Sequence, residues 1–210
     1  MIRLRVFVAI IFLAIPYTKL FADAVSEPSS IILCQSCHGY QFQGNKDLNA
    51  PALAGLSQWY SYRQLLNYKN GIRGTNSEDI LGQTMRLSIL NISNAELNAL
   101  AAYISKIASQ KQEISIKGDV GTGKFVFEHC MSCHGEFGEG DKTIGAPRLT
   151  GQSDWYLYQQ LINFQKGIRG QHPNDLYGRQ MKDMADMFND QMLKDVINYI
   201  TVTNMSVNDD

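Results

Sequence analysis

The chain has 210 residues, a formal net charge of -1, 44% hydrophobic residues and 19% charged ones. That balance gives no reason to invoke nucleic acid, and by itself it says only soluble and globular. The scarce reactive side chains are four cysteines and four histidines.

Taken in order, the chain opens with Arg3 and Arg5 ahead of an eleven-residue apolar run, Val6 to Pro16, followed by Ala22-Asp23-Ala24. A basic start, a short apolar core and an A-x-A site read as a secretory signal peptide over 1–24, too short in its apolar part to span a bilayer. Lys19 interrupts the pattern before the cleavage site. An uncleaved anchor, holding the chain at the membrane surface, is therefore the alternative. For a bacterial source, export places the mature chain in the periplasm. The remaining 186 residues suffice for two small domains, each needing a staple beyond its own core.

Soon after the leader comes Cys34-Gln35-Ser36-Cys37-His38, and the same pattern returns as Cys130-Met131-Ser132-Cys133-His134. A C-x-x-C-H run is the attachment signal of c-type haem: two thiols add across the porphyrin vinyl groups and the adjacent His ligates iron. One helical turn separates the sulfurs enough to reach two edges of one macrocycle. A lone C-x-x-C is also compatible with a redox dithiol or half a zinc site. The dithiol, however, calls for a βαβ pattern absent here, and two zinc sites would have only His129 and His172 left to complete them. Two covalently bound haem c groups are expected, on Cys34, Cys37, Cys130 and Cys133, with His38 and His134 as axial ligands.

The runs belong to a longer repeat. Cys34 pairs with Cys130, Trp59 with Trp155 and Met85 with Met181, all at an offset of 96, and Gly71-Ile72-Arg73-Gly74 recurs unchanged as Gly167-Ile168-Arg169-Gly170. The chain is thus a tandem duplication, with domain 1 over 25–112 and domain 2 over 113–210. The polar stretch Ser109 to Gly118 separates them. Each half reads as all-α: a Cys-bearing helix, a Gly-containing loop, a helix over Trp59–Asn70 or Trp155–Lys166, and a terminal amphipathic helix. Ser93 and Glu96 predict a capping box on the first terminal helix, and Asn189 or Asp190 a cap on the second.

A haem with His on one face needs a ligand, a water or a vacancy on the other. Methionine thioether fills the shell and raises the potential. Met85 and Met181 each lie 47 residues after the axial His, both in a G-x-x-M context. Met184 and Met187 compete in the second half, but their partners at the offset are Ser88 and Asn91, so register favours Met181. Backbone carbonyls of Pro51 and Pro147 are candidates to orient the axial histidines, and Arg73 and Arg169 to pair with haem propionates. His129 and His172 have no histidine counterparts and are read as surface or packing residues.

Tandem C-x-x-C-H-G runs resemble those of the dihaem cytochrome c4 family when each is followed by A-P-x-L-x-G, a G-x-R turn, G-x-x-M and a closing helix. Here these are Cys34 to Gly39 with Ala50 to Gly55, and Cys130 to Gly135 with Ala146 to Gly151. The resemblance covers the mature chain. It implies two tandem cytochrome c-like helical domains, a pseudo-twofold arrangement and proline carbonyls orienting the axial histidines. It also implies periplasmic electron transfer between a donor such as quinol-cytochrome c reductase and a terminal cytochrome c oxidase.

The first half departs from the pattern. Its approach helix is truncated to the nine residues before Cys34, and Tyr40-Gln41-Phe42 replaces smaller residues, so the two haems are expected to differ. Charge also divides unevenly, +1 over 25–116 against -4 over 117–210, a dipole able to orient the molecule between partners. The expected function is transfer of single electrons by a protein with no chemistry of its own. A cytochrome subunit of a periplasmic dehydrogenase, such as flavocytochrome sulfide dehydrogenase or an alcohol dehydrogenase, would use the same fold. A dihaem peroxidase or thiosulfate-oxidising enzyme would call for an open position at one iron, whereas both methionines are present.

Overall fold

The computed structural model describes residues 27–207; the leader assigned to 1–24 lies outside the described residues. Within them the chain forms α1 (Ile31–His38), α2 (Gln58–Lys69), α3 (Ile80–Ile89), α4 (Asn94–Ile104), α5 (Val120–His134), α6 (Asp154–Gln165), α7 (Leu176–Ala185) and α8 (Asp190–Val207). Four helices repeat as four, and the starts of the last three in each half keep the sequence offset. The only β contacts among the described residues are two isolated bridges, Asn45–Ala50 and Asp141–Ala146, so the protein is all-α. No helix among these residues is long and apolar enough to cross a membrane.

Local chemistry sets the helix starts. Asp79 and Asp175 cap α3 and α7, their carboxylates accepting from Gly82 N at 2.9 Å and Gly178 N at 3.0 Å. Asn189 caps α8, accepting from Met192 N at 3.0 Å, while Asp190 pairs with Lys194 one turn on. The capping box expected at α4 closes on one side only. Ser93 accepts from Glu96 N at 3.1 Å, but the Glu96 carboxylate turns away to Ser29 Oγ and Ser30 N, both at 2.9 Å. There it faces the start of α1, where orphan N–H groups and the helix dipole both favour an anion.

Each half encloses its own core. In the first, Ile31, Phe42, Ile89, Leu97, Leu100 and Ile104 cluster; in the second, Val126, Phe127, Phe188, Leu193, Val196, Ile197 and Ile200 do so. The truncation read from sequence is visible as 8 residues in α1 against 15 in α5, and the cores adapt to it. Phe127 corresponds to Ile31 at the repeat offset, and Gly138 to Phe42. In the second half the ring enters from the helix and packs beside Gly138, at φ 72°, whose missing Cβ would lie in ordinary contact with it, 3.8 Å from Phe127 Cζ. In the first half the helix supplies only Ile31, and the loop residue Phe42, held at φ 56°, is wholly buried instead. The large residue after the first haem-attachment run is therefore a core plug.

Between the halves, residues 108–119 form no regular structure, yet they are tied down. Asp154, at the start of α6 and completely buried, accepts from Ser115 N at 2.5 Å, Ser115 Oγ at 2.7 Å and Ile116 N at 2.6 Å.

Candidate haem sites and the interface between them

Both Cys-His runs occupy the last turns of their helices. Cys34 and Cys130 are half-buried against the two cores, whereas Cys37 and Cys133 are exposed. Burial pushes the Cys34 and Cys130 thiols up to about 11, so unattached they stay protonated. No group of three or more His, Cys, Asp or Glu side chains converges among the described residues.

The helix ends immediately after each histidine because Gly39 and Gly135 take φ 84° and 83°, turning the chain back. The carbonyls of His38 and His134 accept from Gly44 N at 2.9 Å and Gly140 N at 2.7 Å, and the short Asn45–Ala50 and Asp141–Ala146 bridges then deliver the prolines. His38 Nδ1 lies 2.8 Å from the Pro51 carbonyl and His134 Nδ1 2.8 Å from that of Pro147. A carbonyl only accepts, so Nδ1 carries the proton and the lone pair is left on Nε2, the tautomer a metal-binding imidazole needs. Burial lowers both histidine pKa values, partly offset by the proline carbonyls, and so favours the neutral ring.

Met85 and Met181 sit half-buried in α3 and α7. Each helix is held by the glycine-flanked turn before it. Arg73 N and Arg169 N donate to the carbonyls of Asn67 and Asn163 at 3.0 Å, and Gly74 and Gly170 then pass so close that a Cβ would meet the Gly82 or Gly178 carbonyl oxygen at 2.3 Å. The repeated glycines of the G-I-R-G and G-x-x-M segments are thus two sides of one contact. Met85 packs on the first core, as Cys34 does; on the second core the packed methionines include Met184 and not Met181. Met184 is a core filler, consistent with its lack of a counterpart. His129, directly before Cys130, is exposed between Phe125 and Phe188, and His172 accepts from Asn174 N; neither has a histidine counterpart at the repeat offset.

Arg73 and Arg169 are 6% and 8% exposed, so they are interior residues. Each guanidinium lies 4.4 Å over a ring, Tyr68 for Arg73 and Phe164 for Arg169, and bonds glutamines of both halves. Gln64 and Gln160, their partners, escape motif reading although Gln64-Leu65-Leu66-Asn67 and Gln160-Leu161-Ile162-Asn163 recur at the offset. Nε of both arginines, and of Arg63 and Arg86, is buried without a hydrogen-bond partner among the described residues. Buried donors rarely stay unpaired, and carboxylates such as haem propionates would satisfy them. Two thiols per helix, a neutral imidazole with its lone pair free and these orphaned donors together fit haem c.

Further contacts across the interface break the symmetry. Arg63 donates to the Gly145 carbonyl at 2.7 Å and lies 4.3 Å from the Tyr177 ring, and Gln152 donates to the Ala52 carbonyl at 2.8 Å. The position equivalent to Arg63 is Gln159, which bonds Asn163 in its own helix.

Comparison with known proteins agrees with this arrangement. The cytochrome c family model matches residues 19–108 and again 120–203. A cytochrome c4 of Pseudomonas aeruginosa is 30% identical over 190 residues, covering 85% of this chain and 87% of that protein. A thiosulfate dehydrogenase electron acceptor of Stutzerimonas stutzeri is 28% identical over 181 residues, covering 80% and 79%. The crystal structure of reduced cytochrome c4 from Pseudomonas stutzeri superimposes with a TM-score of 0.67 at 27% identity, covering 86% of this chain and 97% of that one. With its two tandem helical domains and two covalently bound haem c groups, the chain belongs to the cytochrome c family and, within it, to the dihaem cytochrome c4 electron-transfer proteins.

Proposed function

We propose that this protein is exported to the periplasm and carries single electrons from a membrane donor such as quinol-cytochrome c reductase to a terminal oxidase. Its domains divide near residue 112. Cys34, Cys37, Cys130 and Cys133 hold the two haems; His38 with Met85, and His134 with Met181, take the axial positions. When bound, each haem supplies a one-electron iron couple.

The polypeptide's part is to hold that couple still. Pro51 and Pro147 fix the ring plane and tautomer of each histidine. The Gly74–Gly82 and Gly170–Gly178 contacts fix the methionine helices, and Arg73 and Arg169 offer guanidinium donors to the propionates. Filling both axial positions leaves no coordination site for substrate, which favours transfer over catalysis.

The observation that carries this reading is the histidine–proline bond, 2.8 Å in both halves, together with a methionine at the same register in each. The test is a redox titration of the purified protein, following the haem bands and the weak near-infrared Fe–S(Met) absorption. Two high-potential one-electron waves with Met ligation are expected. A high-spin or low-potential haem would refute the assignment.

A second reading is favoured by the Stutzerimonas electron acceptor: the chain would then take electrons from a periplasmic dehydrogenase. Stopped-flow mixing with a thiosulfate dehydrogenase against mixing with a quinol-cytochrome c reductase separates the two donors by rate.

A further inference from the structure

The interface is crossed by a closed quartet. Arg73 Nη1 donates to Gln64 Oε1 at 2.7 Å and Nη2 reaches Gln160 Oε1 at 3.4 Å, while Arg169 Nη1 donates to Gln160 Oε1 at 2.7 Å and Nη2 reaches Gln64 Oε1 at 3.4 Å. Contacts that exchange in this way are what a local twofold axis generates. Each glutamine oxygen, having two lone pairs, serves one arginine from each half. The quartet places two buried cations around neutral linkers, and the ion pairs among the described residues, Lys182–Asp186 and Lys194–Asp190, include neither arginine. Like charges held together away from water are costly unless anions lie nearby, and the partnerless Nε atoms are the donors left to meet them.

Resting on the two-haem reading above, we propose that Gln64 and Gln160 are positioning residues that couple the redox properties of the two halves. Through its unpaired Nε each arginine would hold a propionate, and each shares its Nη atoms with both glutamines. A change of charge at one glutamine therefore acts on both arginines, and through them on both haems. In a low-dielectric interface such a link is stronger than one through solvent.

The test is potentiometric titration of the intact dihaem protein as Gln64→Glu, Gln160→Glu and the double variant. Gln159→Glu, one residue away on the exposed side of α6, is the control. Glutamate keeps an acceptor oxygen facing the same two guanidinium groups, so the fold is retained; the Fe–S(Met) band verifies it. Added negative charge favours the oxidised state, so Gln64→Glu should move both waves to lower potential although it lies in the first half, and Gln160→Glu should do the same. The double variant should shift less than the sum of the singles, because both carboxylates draw on the same two arginines. Gln159→Glu should shift them less.

A shift confined to one wave, additive shifts in the double variant, or equal shifts from Gln159→Glu would overturn the coupling and leave the quartet a mechanical strut. A wild-type titration without two Met-ligated waves would overturn the two-haem reading itself, and is recognised before any variant is measured.

Discussion

Phe42 is the sharpest place to test how the first domain manages with a short approach helix. The side chain is 0% exposed, and deleting a buried Phe to Ala typically costs about 3–5 kcal/mol. Backbone conformation makes the ranking of substitutions diagnostic. At φ 56° an alanine carries the same left-handed penalty as the phenylalanine, about 1–2 kcal/mol, which glycine escapes. Phe42→Gly should therefore destabilise less than Phe42→Ala, the reverse of the order in regular structure, where glycine is worse by roughly 0.5–1 kcal/mol. Adding Ile31→Phe to Phe42→Gly copies the Phe127 and Gly138 pair of the second half and should recover stability relative to Phe42→Gly alone. Equilibrium guanidinium denaturation of the holoprotein measures this, with Trp155→Phe leaving Trp59 as the reporter of the first half. A glycine variant less stable than the alanine one, or a loss below about 1 kcal/mol in Phe42→Ala, would refute the core-plug account.

Three further outcomes are expected. Asp154→Asn puts an amide donor against the N–H groups of Ser115 and Ile116, and should lose a charge-assisted hydrogen bond worth about 1.5–3 kcal/mol; limited proteolysis should then cut faster within 108–119, and unchanged cleavage would count against the clasp. Glu96 has its pKa lowered from 4.5, first by the Ser30 backbone N–H and then by the Ser29 hydroxyl. Its contribution is thus full above the ordinary carboxylate value and is lost as pH falls through the lower folded value. Glu96→Gln should flatten the first domain's acid sensitivity in that window, read by denaturation midpoints from pH 6 down to pH 3, and a profile parallel to wild type would exclude the contact. Met85→His and Met181→His should each lower the potential of one haem, because Met/His ligation raises it relative to nitrogen ligation; an unchanged titration would remove that methionine from the ligand set.

The haem-attachment runs, the repeat and most helix bounds were legible without coordinates, since each depends on residues within a turn or two. The α2 and α6 helices begin one residue before the tryptophans that marked them and end one residue short of the reading. The capping box shows the limit of such local rules. Ser93 and Glu96 have the right spacing, yet the start of α1, 66 residues earlier in sequence, competes for the carboxylate. Arg73 and Arg169 were singled out as propionate partners, but their placement in a glycine-flanked turn suggests exposure; only folding shows them buried between two domains.

By itself the sequence determined the chemistry that is local or covalent: two attachment runs, a methionine at one register in each half, caps, and a tandem all-helical plan. These follow from short-range geometry, because a helical turn or a Cys-x-x-Cys-His spacing is the same wherever it occurs. The tertiary structure alone decided which side chains cross between the halves. The Arg73–Gln160 and Arg169–Gln64 bonds join residues 87 and 105 positions apart, and a loop phenylalanine fills the first core where a helix residue fills the second. Such choices depend on which surfaces meet when two domains dock, and glutamine, ordinarily a surface residue and buried only where its hydrogen bonds are met, gives no sign of them beforehand.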